Sequence, residues 1–433
     1  MAYVPVAFIL AGMAAYTVLA GADFGAGLWT LLSFGPAARS GPSGQRIRDQ
    51  ARHAMGPVWE ANHVWLIFVL VVCWTAYPVA FGSITSTLAA PLLIAAIGII
   101  LRGAAYALRS VADTTSAIGA AENLLGISSV ITPFALGTAV GAIATGRVPV
   151  GNAAGNPVTS WLAPAPVLVG VLAVAFSGYL AAVFLAADSV RYGEGALAEA
   201  FRRRALAAGI VSGALALAGL LVMRGSGLNL THGAALALVC VSGVAGLATL
   251  GLCWASRFGL ARLTAALAVA AVVGGWAAAQ APRFLPGMTV TQAAAGNSTL
   301  VALVIAVGCG AVVLVPSLAL LFTLFLRGRL DTPESHAVEE PVVAAPDEVS
   351  DPAPAPAPSR ATGAMGATAH PAAAAGSPPG AAKRWGTAAV LGLVAGAGLL
   401  VFTDAPWAHV LGVAGLLLCA VSVFALAAAP LDR

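Results

Sequence analysis

The chain alternates between long apolar runs and short polar segments. A helix that crosses the hydrocarbon core of a bilayer needs about 20 mostly apolar residues. Breaking the sequence at charges and at clusters of Gly, Pro and Asn leaves nine runs of that kind: Val6–Leu32, Pro57–Ala76, Val79–Leu108, Ile118–Thr145, Pro166–Ala187, Ala205–Val222, Ala234–Ala255, Phe258–Ala281 and Leu300–Leu326. We therefore predict an all-α polytopic membrane protein with nine core transmembrane helices in residues 1–330.

The composition of the chain changes after residue 330. Residues 331–385 consist largely of Ala, Pro, Gly and acids, and they hold seven of the 17 carboxylates. Such a segment cannot bury enough apolar surface to fold alone, so we predict a disordered cytoplasmic linker. Two shorter apolar runs fill residues 386–433 around the turn signal TDAP. This pattern predicts a C-terminal transmembrane hairpin.

Composition and charge support a membrane location. Hydrophobic residues make up 60% of the chain and charged residues only 9%, against about 25% charged residues in soluble proteins. Seventeen Arg and Lys residues fall on one set of predicted loops and three on the other. The positive-inside rule then places the N-terminus outside and the linker and C-terminus in the cytoplasm. The basic residues form no patch for nucleic acid, and no CxxC motif suggests a metal site.

Charged residues inside predicted spans are functional hypotheses, because an unpaired charge in the bilayer costs several kcal/mol. Asp23 lies in GADFGAG, Glu60 in GPVWEANHVW and Arg102 in GIILRGAAY. Arg102 is a candidate partner for either acid. Asp23 and Glu60 could instead be interfacial residues that pair with arginines of the following loop, and the sequence leaves both interpretations open.

Other polar residues point to structural roles. Asp188 lies beside Arg191 at a helix end, and Glu122 precedes an apolar stretch, so we interpret both acids as interfacial. Glu60 and His63 are three residues apart and share a helix face. No two histidines occupy facing positions that would bracket a haem, so His63 is interpreted as a hydrogen-bonded structural group. A dense polar and aromatic cluster supports the candidate site: Trp59, Asn62, His63 and Trp65.

Two sequence blocks resemble a known family. The run GPVWEANHVWLIF, followed about 40 residues later by GIILRGAAYALR, resembles subunit II of cytochrome bd-type quinol oxidases. GADFGAGLW is similar to the glycine block at the end of that family's first span. The segment from FLPGMT to VPSLALLFTLF also resembles the family's ninth span and the loop before it. The resemblance covers roughly residues 1–330, and it does not extend to the linker or the hairpin.

The resemblance implies a heterodimeric terminal oxidase of the bacterial cytoplasmic membrane that oxidises quinol and reduces dioxygen to water. The partner, subunit I, would carry two haems b, one haem d and the quinol site. Small accessory subunits accompany the pair in some complexes. Subunit II would comprise two four-helix bundles and a peripheral helix, without a catalytic haem. It would hold a structural quinone in some members, and it would contribute a path for cytoplasmic protons.

Matching the family motifs residue by residue assigns Asp23, Glu60 and Arg102 to the proton pathway. The chain departs from the family pattern at three places. Leu19 and Ala20 stand where the family has an additional acid, Glu60 replaces the commoner Asp, and His63 stands where Gln or Glu is frequent.

Two other interpretations of function compete with the oxidase subunit. A proton-coupled transporter would also contain intramembrane carboxylates and helices broken by Gly and Pro, although we find no internal repeat typical of that class. A subunit that only supports assembly would not require Asp23, Glu60 and Arg102.

Overall fold

The computed structural model describes residues 1–33, 44–55, 59–110, 114–223 and 230–326, together with residues 225, 228, 391 and 411. Twelve helices and one small hairpin occupy these ranges: α1 (Val4–Leu32), α2 (Gly44–Met55), α3 (Trp59–Ala76), α4 (Pro78–Thr87), α5 (Ala89–Ser110), α6 (Thr115–Ala144), α7 (Pro164–Arg191), α8 (Gly195–Met223), α9 (Gly233–Trp254), α10 (Phe258–Gln280), β1 (Arg283–Leu285), β2 (Met288–Thr289), α11 (Val290–Ala293) and α12 (Asn297–Leu326).

Eight of the described helices are long and apolar enough to cross a membrane: α1, α5, α6, α7, α8, α9, α10 and α12. A ninth apolar stretch, Asn62–Ala76 within α3, is shorter. The predicted all-α polytopic membrane architecture is therefore confirmed. The predicted linker and C-terminal hairpin lie outside the described residues, apart from residues 391 and 411.

One predicted span is divided in two. The apolar run Val79–Leu108 forms α4 and α5, and the helix is interrupted at Leu88. Pro91 lies at the third position of α5 and cannot donate a hydrogen bond to the carbonyl of Thr87. Helix α4 contacts a neighbouring loop through a hydroxyl group. The backbone N–H of Gly151 donates a hydrogen bond to Ser83 Oγ at 3.0 Å. The membrane span of this run is therefore α5 alone.

Helix α2 follows the first span in a region that the sequence analysis treated as a basic loop. Ile47 and Ala51 are four residues apart and are 1% and 4% exposed, so they form a narrow apolar stripe. The stripe packs into a core cluster that also contains residues of α1, α7, α8, α9 and α10. Burial of this stripe fixes α2 against the ends of the spans, where its arginines can reach buried acids.

A second core cluster forms around the opposite part of α1. It contains Ile9 of α1, Tyr77, Leu88, and residues from α3, α4, α6, the hairpin, α11 and the first turns of α12. Helix α1 contributes to both clusters and contacts α3, α6, α7 and α10. Its central position places the residues of its middle turns, including Asp23, among several other helices.

Candidate functional site: a buried ion pair beside a small cavity

Asp23 of α1 and Arg102 of α5 form an ion pair inside the helix assembly. Arg102 Nη2 donates to Asp23 Oδ1 at 2.5 Å, and Arg102 Nε donates to Asp23 Oδ2 at 3.1 Å. The two side chains are 0% and 1% exposed. This paired geometry uses two parallel N–H groups of one guanidinium, which is the strongest arrangement available to Arg and a carboxylate.

The remaining donors of Arg102 are also used. Nη1 donates to the hydroxyl of Ser129 on α6. Nη2 also donates to the backbone carbonyl of Asp23 at 3.1 Å and to the hydroxyl of Tyr106 at 3.3 Å. The guanidinium carbon lies 5.3 Å from the centroid of the Phe24 ring. A buried charge is tolerated when it is paired and hydrogen-bonded, and here every guanidinium nitrogen has at least one acceptor.

The glycine block GADFGAG brings this part of α1 into contact with its neighbours. A Cβ atom at Gly25 would overlap the backbone carbonyl of Ser177 on α7. A Cβ atom at Gly27 would overlap the Ser129 side chain and lie 3.2 Å from Arg102 Nη1. Glycine is required at both positions because the helices approach too closely for any side chain. The glycines therefore allow Asp23 and Ser129 to meet Arg102.

All four predicted supporting residues lie on α3, and two of the three whose side chains are described join α3 to α1. Asn62 is 4% exposed and donates to the carbonyl of Leu19 at 3.4 Å. His63 Nδ1 lies 3.4 Å from the hydroxyl of Tyr16, and its ring centroid is 5.9 Å from that of Phe24.

Trp65 packs against Phe68 of its own helix, with the ring centroids 6.4 Å apart. It does not contribute to the Asp23 contacts. The side chains of Trp59 and Glu60 lie outside the described part of the structure, so the assignment of Glu60 stays a prediction.

Glu122 of α6 forms a second buried charge cluster. Its carboxylate lies 3.0 Å from Arg48 Nε of α2 and 2.9 Å from Arg109 Nη1 at the end of α5. The Glu122 side chain is only 8% exposed. The sequence predicted an interfacial acid at Glu122 without its two arginine partners, which come from different elements. A weak signal existed in the sequence, since Arg109 and the arginines of residues 46–52 were assigned to the same side as Glu122.

A small cavity separates the two charge clusters. Its volume of about 20 Å³ is enough for about one water molecule. Polar groups of both clusters face it, namely Thr30, Arg48, Arg102, Tyr106, Arg109 and Glu122. The cavity therefore joins the doubly paired Glu122 to the guanidinium that holds Asp23.

Asp188 is paired with a different residue from the one that the sequence suggested. Its carboxylate binds Arg262 of α10 rather than the adjacent Arg191. Arg262 also donates to the carbonyl of Phe184 at 2.6 Å. The pair is partly exposed and ties α7 to α10, which agrees with the structural role predicted for Asp188.

No group of three or more His, Cys, Asp or Glu side chains gathers anywhere in the described ranges. His63 is the one histidine within their membrane helices, and its ring packs against Tyr16 and Phe24 with centroids 6.0 and 5.9 Å away.

The fold and the site first define a class of protein. It is a polytopic α-helical membrane protein that holds an arginine–carboxylate pair among its helices, next to a cavity that can hold water. The family model described as cytochrome bd terminal oxidase subunit II matches residues 1–325. The chain belongs to this family, as the sequence blocks predicted, and is a subunit of a terminal quinol oxidase complex with a partner oxidase subunit.

A solved structure has the same fold. The bd oxidase from Geobacillus thermodenitrificans matches with a TM-score of 0.63 and 23% identity, over 75% of this chain and 98% of that chain. At this identity the likeness concerns the fold alone. No curated protein matches the chain significantly.

Proposed function

We propose that this chain is the haem-free subunit of a bd-type oxidase that couples quinol oxidation to reduction of dioxygen to water. In this proposal it stabilises the haem-bearing subunit and carries protons from the cytoplasm into the membrane. The observation that supports the proton path is the cavity that connects Glu122 with the buried Asp23–Arg102 pair. A purely structural ion pair would not need a neighbouring space for water.

The proposed path enters at the side that carries most of the arginines, which the positive-inside rule assigns to the cytoplasm. A proton reaching the cavity by way of Glu122 meets a water molecule that contacts Arg102 and Tyr106. It is then passed to the carboxylate of Asp23. Arg102 holds this carboxylate in place, because its guanidinium donates two hydrogen bonds to it.

Glu60 belongs to the proposed path through its place in the sequence motif. Its position at the N-terminal end of α3 precedes Asn62 and His63, which contact α1 around Leu19 and Tyr16. Haems b and d belong to the partner subunit in this proposal, as does the quinol site. A structural quinone on this chain and small accessory subunits stay predictions. Membership of the oxidase family removes the ground for the transporter alternative.

The experiment measures quinol-dependent oxygen consumption per assembled complex, purified through this chain. We expect Asp23→Asn to slow turnover about a hundredfold, as loss of a positioned proton-transfer group does. Glu60→Gln should slow turnover as well. The matched control is Asp188→Asn, which also removes an arginine-paired carboxylate at the end of a span but lies outside the cavity. It should retain near wild-type turnover.

Separating the subunits of the same preparation tests the division of labour. Haem absorption should follow the partner subunit. Stoichiometric haem that stays with this chain would overturn the haem-free assignment. Wild-type turnover of the assembled Asp23→Asn complex would remove Asp23 from the proton path.

A further inference from the structure

Arg204 of α8 is a half-buried arginine, and no acid of the described residues lies within ion-pair distance of it. Its guanidinium carbon lies 5.7 Å from the ring centroid of Trp29 and 5.4 Å from that of Phe201. Its Nη1 atom is buried and has no hydrogen-bond partner. Two aromatic faces therefore hold the cation in place while part of its hydrogen-bonding capacity is left unused.

The acids near Arg204 are already taken by other arginines. Glu199 binds both Arg202 and Arg203, with N–O distances of 2.6 and 3.0 Å. The other ion-paired acids of the described ranges are likewise engaged elsewhere: Asp23 with Arg102, Glu122 with Arg48 and Arg109, Asp188 with Arg262, and Glu194 with Arg46. An anion that pairs with Arg204 would therefore come from outside the described part of this chain.

The position of Arg204 indicates which anion is available. The helix continues from Ala205 to Met223 as an apolar stretch with strongly exposed side chains, including Ile210 at 64% and Leu217 at 64%. Arg204 lies where this outward-facing apolar stretch begins. Tryptophan, here Trp29 beneath the guanidinium, is typical of the membrane–water boundary. The lipid phosphates of a bilayer lie at this level.

We propose that Arg204, seated on Trp29, binds the phosphodiester of an anionic phospholipid at the membrane boundary of α8. The planar guanidinium presents donors in the spacing that suits phosphate oxygens. Arg204 is only half-buried, so the part of its guanidinium that stays accessible can meet a ligand from outside, while Nη1 lies enclosed beneath it. The site is independent of the proposed proton path and of which membrane leaflet this end of α8 faces.

The test reconstitutes the purified oxidase complex in nanodiscs of equal phosphatidylglycerol and phosphatidylcholine. Bound lipid is then counted by native mass spectrometry. We expect the wild-type complex to retain a phosphatidylglycerol adduct and Arg204→Ala to weaken its retention about tenfold, the scale of a lost charge-assisted hydrogen bond. Arg203→Ala is the matched control, because Arg203 is the next residue on the helix, is 78% exposed and is already paired with Glu199. It should keep the adduct.

Arg204→Lys keeps the charge and the aliphatic stem, and it should retain the lipid partly. If the Arg204→Ala complex fails to assemble, lipid retention is measured on the Arg204→Lys complex. Equal lipid retention in wild type, Arg204→Ala and Arg204→Lys would overturn the proposal. Displacement of the adduct by inorganic phosphate would identify a free-phosphate site instead. Loss of the partner subunit from Arg204→Ala with unchanged lipid retention would assign the anion to a protein carboxylate, which also overturns it.

Discussion

At the scale of single residues, the Asp23–Arg102 pair combines full burial with a hydrogen bond from every guanidinium nitrogen. Removing one member of such a pair is costly, because the other charge stays buried without compensation. Removing both members leaves no isolated charge. Stability and proton transfer should therefore respond differently to single and double substitution, and this difference separates a structural pair from a functional one.

We expect Asp23→Asn alone to lower the free energy of unfolding by about 3–5 kcal/mol. Adding Arg102→Gln should recover most of that loss, because the uncompensated guanidinium is removed. The double variant should nevertheless keep the low turnover of the single variant. Thermal unfolding of the assembled complex and oxygen consumption measure the two quantities. Recovery of turnover together with stability would show that the pair acts only through structure.

The sequence identified the members of this pair but not the pairing. Asp23 and Arg102 were noticed because charges are rare in apolar runs, and both are buried in the structure. The partner of Arg102 stayed open between Asp23 and Glu60, since 79 residues separate the two ion-paired positions along the chain. The two partners of Glu122 could not be predicted, because they come from α2 and α5 and the sequence does not show which elements pack together.

At the scale of elements, α2 acts as a cover for the ends of the spans. Its apolar stripe packs into the core through Ile47 and Ala51. Two of its arginines reach acids outside α2, Arg48 binding Glu122 of α6 and Arg46 binding Glu194 between α7 and α8. These two contacts differ in burial, because the Glu122 side chain is 8% exposed and the Glu194 side chain is 40% exposed. They form a matched pair for testing what holds α2.

Glu122→Gln should destabilise the complex by a few kcal/mol, because it leaves two arginines around a neutral side chain. Glu194→Gln should cost about 0–1 kcal/mol, as an exposed ion pair does. Hydrogen exchange of the α2 backbone amides should increase in Glu122→Gln and stay near wild type in Glu194→Gln. Equal exchange in both variants would mean that the apolar stripe alone holds α2.

Element boundaries could be predicted only in part. The long apolar runs predicted α1 and α7 closely, because their hydrophobicity exceeds any competing signal. The sequence did not reveal α2, whose apolar stripe has only two strongly buried members among many charges. It also missed the break at Leu88, since the apolar character continues across the interruption.

At the scale of the whole molecule, the ion pairs agree with the predicted topology. Apart from the intramembrane Asp23–Arg102 pair, each described pair joins residues that the sequence assigned to the arginine-rich side, such as Arg109 with Glu122 and Arg46 with Glu194. A helix miscounted early in the chain would have placed some partners on opposite sides. The absolute orientation, with that side in the cytoplasm, stays a prediction of the positive-inside rule.

The extent of the family match leads to a prediction about the C-terminal hundred residues. The family model ends at residue 325, and both buried core clusters lie before residue 308. A chain that ends after Leu330 keeps these clusters, the ion pairs and the basic residues Arg327 and Arg329 that flank the last family span. We therefore expect the truncated chain to assemble with its partner subunit and to consume oxygen at a rate close to that of the full chain.

Co-purification of the two subunits and turnover per assembled complex measure this, and the full-length chain expressed in parallel is the control. A truncated chain that assembles but turns over slowly would instead give residues 331–433 a part in catalysis, and one that fails to assemble would give them a part in holding the complex together.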